Sequence, residues 1–592
     1  MTVSEIEDPH DHRLVPAVGG LLRVFNDAEV IDAADVHVAR RVCALAGEDE
    51  PLVELAVALA VRAVRGGSVC VDLETVAEES LLPDLPWPSI EEWLAALAAT
   101  ALTQVTDGGA TVLRLLDDRL LYLDRYWREE EQVHADLVAR PAPIFTTPAA
   151  SAALEAGLDR VFPREGYDEQ RAAARIALSQ STTVLTGGPG TGKTTTVAAL
   201  LALLVAQADE AGRPALRIGL AAPTGKAAAR LQQAVEEEVA RLPESDRARL
   251  TGLRAVTLHR LLGSRPDTSA RFRHHRDNRL PHDVVVVDET SMVSLTMMAR
   301  LLEAVRPDTR LLLVGDPDQL ASVEAGAVLS DLVEGLGARS DVRVAALRTS
   351  HRFGEAIRAL AEAVRAGDAD RAVELLRAGD EHVEFVPESD PVPRMRELLL
   401  GPALEMVRAA EAGDVDGALA ALDRQRLLCA HREGPYGVQH WNRQVERWLG
   451  EETGEPIWTS WYPGRPLLVT ANDYGLGIYN GDTGVVVRRG EHGLRAAIAG
   501  STRRHDLATG RLGQLETMHA MTIHKSQGSQ AERVVVVLPP PDSRLLTREL
   551  FYTALTRARE RLVVVGSEDD VRAAIGRRAV RATGLRLRLA EG

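Results

Sequence analysis

Hydrophobic positions follow different patterns in successive parts of this chain of 592 residues. Residues 52–61 are apolar on nearly every side of a helix, a pattern typical of a buried helix. Ser89 precedes an apolar helical stretch and Glu92 follows three residues later, which predicts a helix start with a capping box. Residues 110–123 alternate, and fit either a strand pair or a helix. The first quarter is therefore predicted to be mainly helical.

From about residue 161 the pattern changes to short β-branched runs separated by alanine- and leucine-rich helices. Such runs are apolar on both faces, as strands are when helices cover both sides of a parallel sheet. The runs are residues 182–185, 216–220, 284–287, 311–314, 534–538 and 562–565. An α/β fold with parallel sheets is therefore predicted for this part of the chain.

Two segments depart from that alternation. Residues 129–150 begin with charged residues and end in Pro, Thr and Ala, which indicates a boundary, and we assign 126–160 as a linker. Residues 465–515 contain strand-like runs divided by Asn-Asp and Asn-Gly-Asp turns, which is typical of a small β insert.

The net charge of −17 argues at first against a nucleic-acid partner. Residues 1–150 carry −16 of it, whereas residues 501–592 carry +6, so the acidity belongs to the first quarter. The chain has only three lysines, Lys193, Lys226 and Lys525. All other basic side chains of the Lys and Arg type are arginines, so we expect each lysine at a position that needs a compact ammonium.

The composition also excludes several classes of protein. Three cysteines, Cys43, Cys70 and Cys429, are far apart and never in C-x-x-C, which argues against a disulfide framework, a four-thiolate zinc site and an iron–sulfur cluster. The first residues are acidic with no apolar stretch behind them, and no window holds 18 uninterrupted apolar residues. We therefore expect a cytoplasmic protein with no membrane partner.

The segment GGPGTGKT, residues 187–194, follows one predicted strand and precedes a helix, and it matches the phosphate-binding pattern G-x-x-x-x-G-K-[ST]. Backbone N–H groups of such a loop cradle phosphates, Lys193 reaches the β- and γ-phosphates, and the Thr194 hydroxyl ligates Mg²⁺. The predicted ATP-binding residues here are Gly187, Gly188, Pro189, Gly190, Thr191, Gly192, Lys193, Thr194 and Thr195.

Asp288 and Glu289 follow the four valines of residues 284–287. They emerge at the carboxyl end of a predicted strand, where α/β sheets hold their ligands. We expect Asp288 to hold Mg²⁺ through water and Glu289 to polarise an attacking water, which favours hydrolysis over transfer to another substrate.

Nine blocks now occur in a recognisable order. They are GGPGTGKT (187–194), AAPTGKAAARL (221–231), TLHRLLG (257–263), VVVVDETSMV (284–293), LVGDPDQLASVEAG (313–326), LRTSHRFG (347–354), NGDTGVV (480–486), AMTIHKSQGSQ (520–530) and LFYTALTRARERLVVVG (550–566). This series resembles the superfamily-one helicases. In the residues of its blocks it resembles the RecD family, which is the alpha subunit family of the bacterial RecBCD exodeoxyribonuclease. The resemblance covers about residues 161–566.

The resemblance implies two RecA-like P-loop motor domains with ATP between them. The implied division is an acidic partner-docking domain at 1–125, the linker at 126–160, motor domain 1A at 161–345 with a hairpin insert at about 264–283, motor domain 2A at 346–464 and 516–592, and an SH3-like insert 2B at 465–515.

The resemblance also implies roles for single residues. Gln170 lies where the family contacts adenine, Gly528 where it borders the nucleotide, and Gln319 where it contacts the γ-phosphate. Arg352 and Arg557 look like the two cations that reach the γ-phosphate from the second motor domain. The predicted catalytic set is Lys193, Glu289, Gln319, Arg352 and Arg557.

Three of the blocks contain the residues with which the family contacts DNA. These residues are Thr224, Lys226, Thr257, His259, Thr522, His524, Lys525 and Ser526. Short polar side chains suit phosphates of a single strand without reading its sequence. Taken alone, each also fits an ordinary loop or helix cap. Phe353 and Tyr479 are candidates for base stacking, although core packing fits them as well.

The resemblance implies an ATP-dependent 5′→3′ DNA helicase subunit, with ATP and Mg²⁺ as cofactors. Its implied partners are single-stranded DNA, duplex ends and RecB-like and RecC-like subunits, one of which holds the nuclease site. Two alternatives stay open, a stand-alone repair helicase of the same fold and an ATP-gated scaffold that does not translocate.

Overall fold

The computed structural model describes residues 12–591 with a number of gaps. The gaps are residues 81, 106–108, 141–147, 163–165, 266–267, 340–343, 350–353, 388–389, 455–456, 474, 491–492 and 501–503. At 148–151, 265, 268–270 and 591 the backbone alone is described.

The N-terminal domain, residues 12–138, is mainly helical, as predicted. Its elements are α1 (Gly20–Asp27), α2 (Ala33–Ala46), α3 (Pro51–Arg65), β1 (Cys70–Asp72), α4 (Val76–Glu79), α5 (Ile90–Ala99), β2 (Leu113–Leu116), β3 (Leu120–Leu123) and α6 (Asp124–Val138). Helix α3 is buried, and the predicted capping box joins Ser89 and Glu92 at the start of α5. Residues 110–123 form a strand pair, and β3 lies between β1 and β2 in an antiparallel sheet.

The first sheet domain, residues 148–347, contains a parallel sheet of six strands. The strands are β4 (Thr182–Gly187), β5 (Ile218–Ala222), β6 (Ala255–Thr257), β9 (Val284–Val287), β10 (Arg310–Gly315) and β11 (Val344–Leu347). The helices are α7 (Pro148–Val161), α8 (Asp168–Leu178), α9 (Lys193–Glu210), α10 (Gly225–Arg241), α11 (Glu244–Arg249), α12 (Leu258–Leu262), α13 (Leu295–Ala304) and α14 (Val328–Gly337). The strand order is β11-β4-β10-β9-β5-β6.

A small antiparallel hairpin lies between β6 and β9. Its strands are β7 (Ser264–Arg265) and β8 (Thr268–Phe272). This is the segment predicted as a hairpin insert. Arg276, in the turn that follows, forms an ion pair with Asp136 of α6 at 2.7 Å, so this basic segment contacts the N-terminal domain.

The second sheet domain, residues 355–465 and 518–576, contains a parallel sheet of five strands. The strands are β12 (Val383–Val386), β13 (Gln425–Cys429), β19 (Ala520–Thr522), β20 (Ala531–Val537) and β21 (Ala558–Val565). The helices are α15 (Glu355–Ala366), α16 (Ala369–Ala378), α17 (Val392–Glu411), α18 (Val415–Arg424), α19 (Val438–Thr453), α20 (Arg548–Leu555) and α21 (Glu568–Gly576). The strand order is β12-β21-β20-β13-β19. Two parallel sheets with flanking helices confirm the predicted α/β architecture.

The predicted β insert forms an antiparallel sheet of its own. Its strands are β14 (Pro466–Val469), β15 (Thr483–Arg488), β16 (Leu494–Ala499), β17 (Arg504–Ala508) and β18 (Leu515–Thr517). Their order is β17-β16-β15-β14-β18. Valine, isoleucine and leucine side chains from these strands form a separate small core.

The segment predicted as a linker, residues 126–160, is instead largely helical in its described part. Helix α6 packs against α13 of the first sheet domain. Thr296 Oγ1 donates to Glu129 Oε2 at 2.6 Å, and Gln132 Nε2 donates to the carbonyl of Ala299 at 2.9 Å. The polar residues at the start of the predicted linker therefore form hydrogen bonds with residues far away in the sequence.

The last helix also departs from the predicted division, which placed all of 516–592 in one motor domain. Helix α22 (Leu585–Glu591) leaves the second sheet domain and packs against α14 of the first. A Cβ at Gly335 of α14 would lie 2.6 Å from Leu589 Cβ, so only glycine allows this close approach. No helix in the described ranges is long and apolar enough to cross a membrane.

A buried polar cluster around Glu130 joins three parts of the chain. Its carboxylate accepts hydrogen bonds from Tyr122 Oη at 2.9 Å and from Thr583 Oγ1 at 2.8 Å. Thr583 Oγ1 also lies 3.1 Å from Asp331 Oδ2 of α14. Burial raises the pKa of Glu130 and, with the Glu130 charge, holds the pKa of Asp331 well above its usual range. A neutral Asp331 can therefore donate to Thr583, which donates to Glu130.

Replacing Thr583 by Val should destabilise the protein by about 1–3 kcal/mol, because it takes the hydroxyl partner from the buried Asp331 carboxyl and one of several partners from Glu130. Asp331→Asn should be nearly neutral, since an amide also donates. Stability should fall as the pH rises through the raised pKa of Asp331, and Asp331→Asn should weaken that dependence to the part that Glu130 contributes. The midpoint of urea unfolding measures all three. Thr251→Val is the control, because that hydroxyl is exposed; equal losses in both valine variants would contradict the prediction.

Candidate nucleotide and DNA sites

The phosphate loop lies between β4 and α9 at the carboxyl edge of the first sheet. Strand β4 ends at Gly187 and α9 begins at Lys193. Gly190 and Gly192 have φ of +80° and +87°, a backbone conformation that favours glycine. A Cβ at Gly187 would lie 2.5 Å from Thr191 Oγ1. The glycines are thus required by the turn that directs this loop into a helix N-terminus.

Lys193 lies within the loop itself. Its Nζ donates to the carbonyls of Gly187 at 2.5 Å and Gly188 at 2.9 Å. Thr194 and Thr195, also half-buried, follow on the first turn of α9. The ammonium and the amino end of α9 together place positive charge at one point, which suits a phosphate group.

Gln170 on α8 lies behind the loop and is buried. Its Nε2 donates to the carbonyl of Thr191 at 3.0 Å and approaches Gly192. Its Oε1 is buried without a hydrogen-bond partner among the described residues. That oxygen is an acceptor of the kind that an adenine amino group requires.

Asp288 and Glu289 follow β9, which is two strands from β4 in the sheet. The Glu289 N–H donates to Asp288 Oδ1 at 2.9 Å, and Glu289 has a φ of +52°. Burial raises the pKa of Asp288 to about 6, the charge of Glu289 adds to this, and the charge of Lys193 opposes it. The described residues contain no group of three or more His, Cys, Asp or Glu that could hold a metal by themselves.

Gln319 and Arg557 meet between the two sheet domains. Arg557 Nη2 donates to Gln319 Oε1 at 2.9 Å, and Gln319 Nε2 donates to Asp316 Oδ2 at 2.9 Å. Arg557 is only 3% exposed, and burial lowers its pKa. The remaining guanidinium donors reach the carbonyl of Thr553 at 3.0 Å and Thr556 Oγ1 at 3.2 Å. Two predicted catalytic residues from different domains are thus in direct contact.

Three residues at this junction were not singled out from the sequence. Asp316 is buried, and burial raises its pKa; Tyr552 Oη donates to Asp316 Oδ2 at 3.3 Å. Thr553 Oγ1 accepts the N–H of Leu320 at 2.8 Å. Asp316 is three residues from Gln319, and Tyr552 and Thr553 are within five residues of Arg557. All three belong to the same motifs as the predicted residues, and this is the signal that could have found them.

Arg352 and the stacking candidate Phe353 lie outside the described residues. The predicted contribution of Arg352 to the nucleotide site therefore stays a prediction. Gly528 has a φ of +72° and lies against Ala227 of α10. A Cβ added at Gly528 would be 3.3 Å from the Ala227 Cβ. Gly528 thus borders the junction between the domains.

The three threonines of the predicted DNA-contacting blocks share one local structure. Thr224 Oγ1 and Thr257 Oγ1 accept backbone N–H groups at the starts of α10 and α12, and Thr522 Oγ1 accepts that of Lys525. A hydroxyl that accepts in this way keeps its own proton for a second partner. Helix capping and phosphate binding are therefore compatible here.

Lys226 lies near the insert rather than in open solvent. Burial lowers its pKa to about 8, and the charge of Arg426 adds to this. Burial raises the pKa of Asp482 to about 6, and the charge of Lys226 opposes this rise. The other stacking candidate, Tyr479, lies close to Gly225: a Cβ added at this glycine would be 3.7 Å from the Tyr479 Cβ. The first sheet domain and the insert thus meet at this predicted contact.

The remaining predicted DNA contacts differ in exposure. Lys525 is exposed, whereas Ser526 is buried and donates its hydroxyl to the carbonyl of Ile523 at 2.7 Å. His259 contacts Phe272 of the hairpin edge to face at 5.8 Å. Burial lowers the pKa of both His259 and His524, which favours the neutral form of each ring.

Known families match most of this architecture. Residues 165–386 match the AAA domain family, residues 517–565 match the UvrD-like helicase C-terminal domain, and residues 27–122 match the N-terminal domain of RecBCD enzyme subunit RecD.

Individual proteins extend the match over nearly the whole chain. RecBCD enzyme subunit RecD of Mycolicibacterium smegmatis is 66% identical over 96% of this chain and 99% of its own length. The ATP-dependent RecD2 DNA helicase of Deinococcus radiodurans is 34% identical, over 71% of this chain and 52% of its length. A Pif1 helicase from Bacteroides, solved with ADP-AlF3 and single-stranded DNA, covers 67% of this chain and 91% of its own, with 17% identity and a TM-score of 0.37. The chain belongs to the RecD family.

Proposed function

We propose that this chain is the ATP-dependent DNA helicase subunit of a RecBCD-type helicase–nuclease, which moves 5′→3′ on single-stranded DNA and acts at double-strand breaks. The observation that carries the proposal is the contact between Gln319 and Arg557, which joins the two sheet domains. The RecD family supplies the polarity and the repair context.

At the phosphate loop, Lys193 exchanges its two carbonyl partners for the β- and γ-phosphates of ATP, and Gln170 Oε1 accepts from adenine. Thr194 and Asp288 are the residues that would hold Mg²⁺, which neutralises phosphate charge when bound. A magnesium ion bound to phosphates needs few protein ligands, so two suffice. Glu289 orients and polarises the attacking water.

Closure of the two sheet domains completes this site. Arg557 comes from the second domain, and its guanidinium stabilises charge that develops on the γ-phosphate. Because Gln319 holds Arg557, loss of the γ-phosphate changes a contact that both domains share. Hydrolysis is thereby coupled to relative movement of the domains, which lie on successive stretches of the same DNA strand.

The DNA path runs over Thr224, Lys226, Thr257, Thr522 and Lys525. The insert closes over the strand in the manner of an SH3-like subdomain, and the basic hairpin at 264–283 lies at the duplex junction. The division into motor domains 1A and 2A with insert 2B follows the two sheets, with α22 returned to the first.

RecB-like and RecC-like subunits are the proposed partners, and the nuclease site belongs to one of them. The acidic N-terminal domain carries much of the net charge and offers the docking surface. A stand-alone helicase is the second candidate, because the RecD2 helicase of Deinococcus radiodurans also matches this chain. The RecBCD enzyme subunit RecD of Mycolicibacterium smegmatis is matched at 66% identity over 99% of its length, which favours the complex-bound subunit. An ATP-gated scaffold is less well supported, because it needs no contact between Gln319 and Arg557.

Lys193→Gln should lower DNA-stimulated ATP hydrolysis and unwinding at least about a hundredfold, because the variant removes the cation that meets the phosphates. Unwinding of a duplex with a 5′ overhang measures the effect. If unwinding survives unchanged, the motor function is wrong.

Arg557→Gln should lower the rate of ATP hydrolysis at least about a hundredfold while ATP still binds, since the guanidinium acts on the transition state. Arg559→Gln is a matched control on the same segment, because its side chain is exposed and outside this contact. A steady-state ATPase assay with single-stranded DNA compares them. Equal rates for the two variants would contradict the assigned role.

Purification from the source cell should recover this chain with two large partner subunits. Size-exclusion chromatography and mass spectrometry identify the assembly. A stable monomer with full 5′→3′ helicase activity would instead support the stand-alone candidate.

A further inference from the structure

Arg432 and Lys525 converge on a single carboxylate, that of Glu516. Arg432 Nη2 donates to Glu516 Oε1 at 2.5 Å, and Lys525 Nζ donates to Glu516 Oε2 at 2.7 Å. Each oxygen of the carboxylate thus faces one cation. Two cations around one small anion are the arrangement with which proteins bind a phosphate group.

The sheet brings the two cations together. Lys525 follows β19 and Arg432 follows β13, and these strands are parallel neighbours in the second sheet. Both side chains therefore lie at the carboxyl edge of that sheet. The Lys525 N–H is held by Thr522 Oγ1, and the loop of Arg432 is held on α19, where the Gln439 N–H donates to the Arg432 carbonyl at 3.0 Å.

The carboxylate between them belongs to a different unit. Glu516 is on β18, an edge strand of the insert. The side chain of Arg432 is 62% exposed and that of Lys525 is 35% exposed. Exposed ion pairs contribute little to stability and are screened by salt, so a polyanion can displace this carboxylate.

We propose that Arg432 and Lys525 form a binding site for one phosphate of the DNA strand, and that Glu516 occupies this site in the DNA-free chain. Arg432 is then a DNA-binding residue in addition to those of the predicted blocks. Glu516 is a competitor that lowers the affinity for the strand. The inference rests on the proposed function, because it extends the DNA path from Lys525 to the neighbouring strand of the sheet.

A cavity of about 360 Å³ lies beside the Arg432 loop. It is lined by Gly434, Gln439, His440, Arg443 and Gln444. Amide, imidazole and guanidinium groups suit the polar parts of a nucleotide. The cavity lies at the first two turns of α19, next to the proposed phosphate site, and is the place where the strand would continue.

The test is binding of the full-length chain to a fluorescent oligothymidylate over a range of salt concentrations. Arg432→Gln should weaken binding about fivefold at low salt and reduce the salt slope by about 0.7, the value for one lost phosphate contact on a single strand. Arg432→Lys should keep the slope. Glu516→Gln should strengthen binding about threefold, because it removes the competing charge.

Arg396 and Glu451 supply matched controls, since they form an exposed ion pair at 2.9 Å elsewhere in the second sheet domain. Arg396→Gln and Glu451→Gln should leave affinity and slope unchanged. The inference is overturned if Arg432→Gln behaves as Arg396→Gln, or if Glu516→Gln weakens binding, as a purely structural ion pair would. Wild-type ATPase stimulation by the same oligonucleotide is measured alongside. Its presence with unaffected variants refutes this site alone, whereas its absence refutes the proposed function as well.

Discussion

The buried guanidinium of Arg557 is the interaction on which the two-domain arrangement depends. A charge at 3% exposure is costly unless its donors are satisfied, and here Gln319 of the other domain accepts from one of them. The carboxyl edge of the first sheet, where Gln319 follows β10, must therefore face the amino edge of the second, where Arg557 precedes β21. That requirement also brings Asp316 and Tyr552 together, and it places the phosphate loop within reach of the second domain. The fold and the proposed nucleotide chemistry thus share one constraint.

The rest of the chain supports this junction from outside. Helix α6 packs against α13, and α22 crosses back from the second sheet domain to α14. The hydrogen bonds of Glu130 and Thr583 join these elements where apolar packing alone would leave two carboxyl groups unsatisfied. The N-terminal domain has a hydrophobic core of its own, and it is attached to the first sheet domain both by these polar contacts and by an apolar cluster to which Cys70, Val133 and Leu137 contribute.

Much of the fold and the local geometry of the candidate nucleotide site could be predicted from local sequence, because both depend on short-range patterns. The valines at 284–287 form a buried strand, and the glycines at 187–192 form the phosphate loop. The misassigned segments depend on partners far away in the chain. Glu129 and Glu130 resemble solvated charges until Thr296 and Thr583 are placed beside them. The contact of Arg432 with Glu516 is likewise invisible in sequence, since 84 positions separate them.

The return of α22 has a consequence for how this protein is made. Thr583 bonds to Glu130 across 453 positions, and the Val69 N–H donates to the carbonyl of Ala582. During synthesis the N-terminal domain leaves the ribosome long before Thr583 and Ala582 are made, so Glu130 and Val69 lack these partners in the meantime. The contacts that attach the N-terminal domain to the rest of the chain therefore form late and join residues far apart in the sequence, which makes final assembly slow.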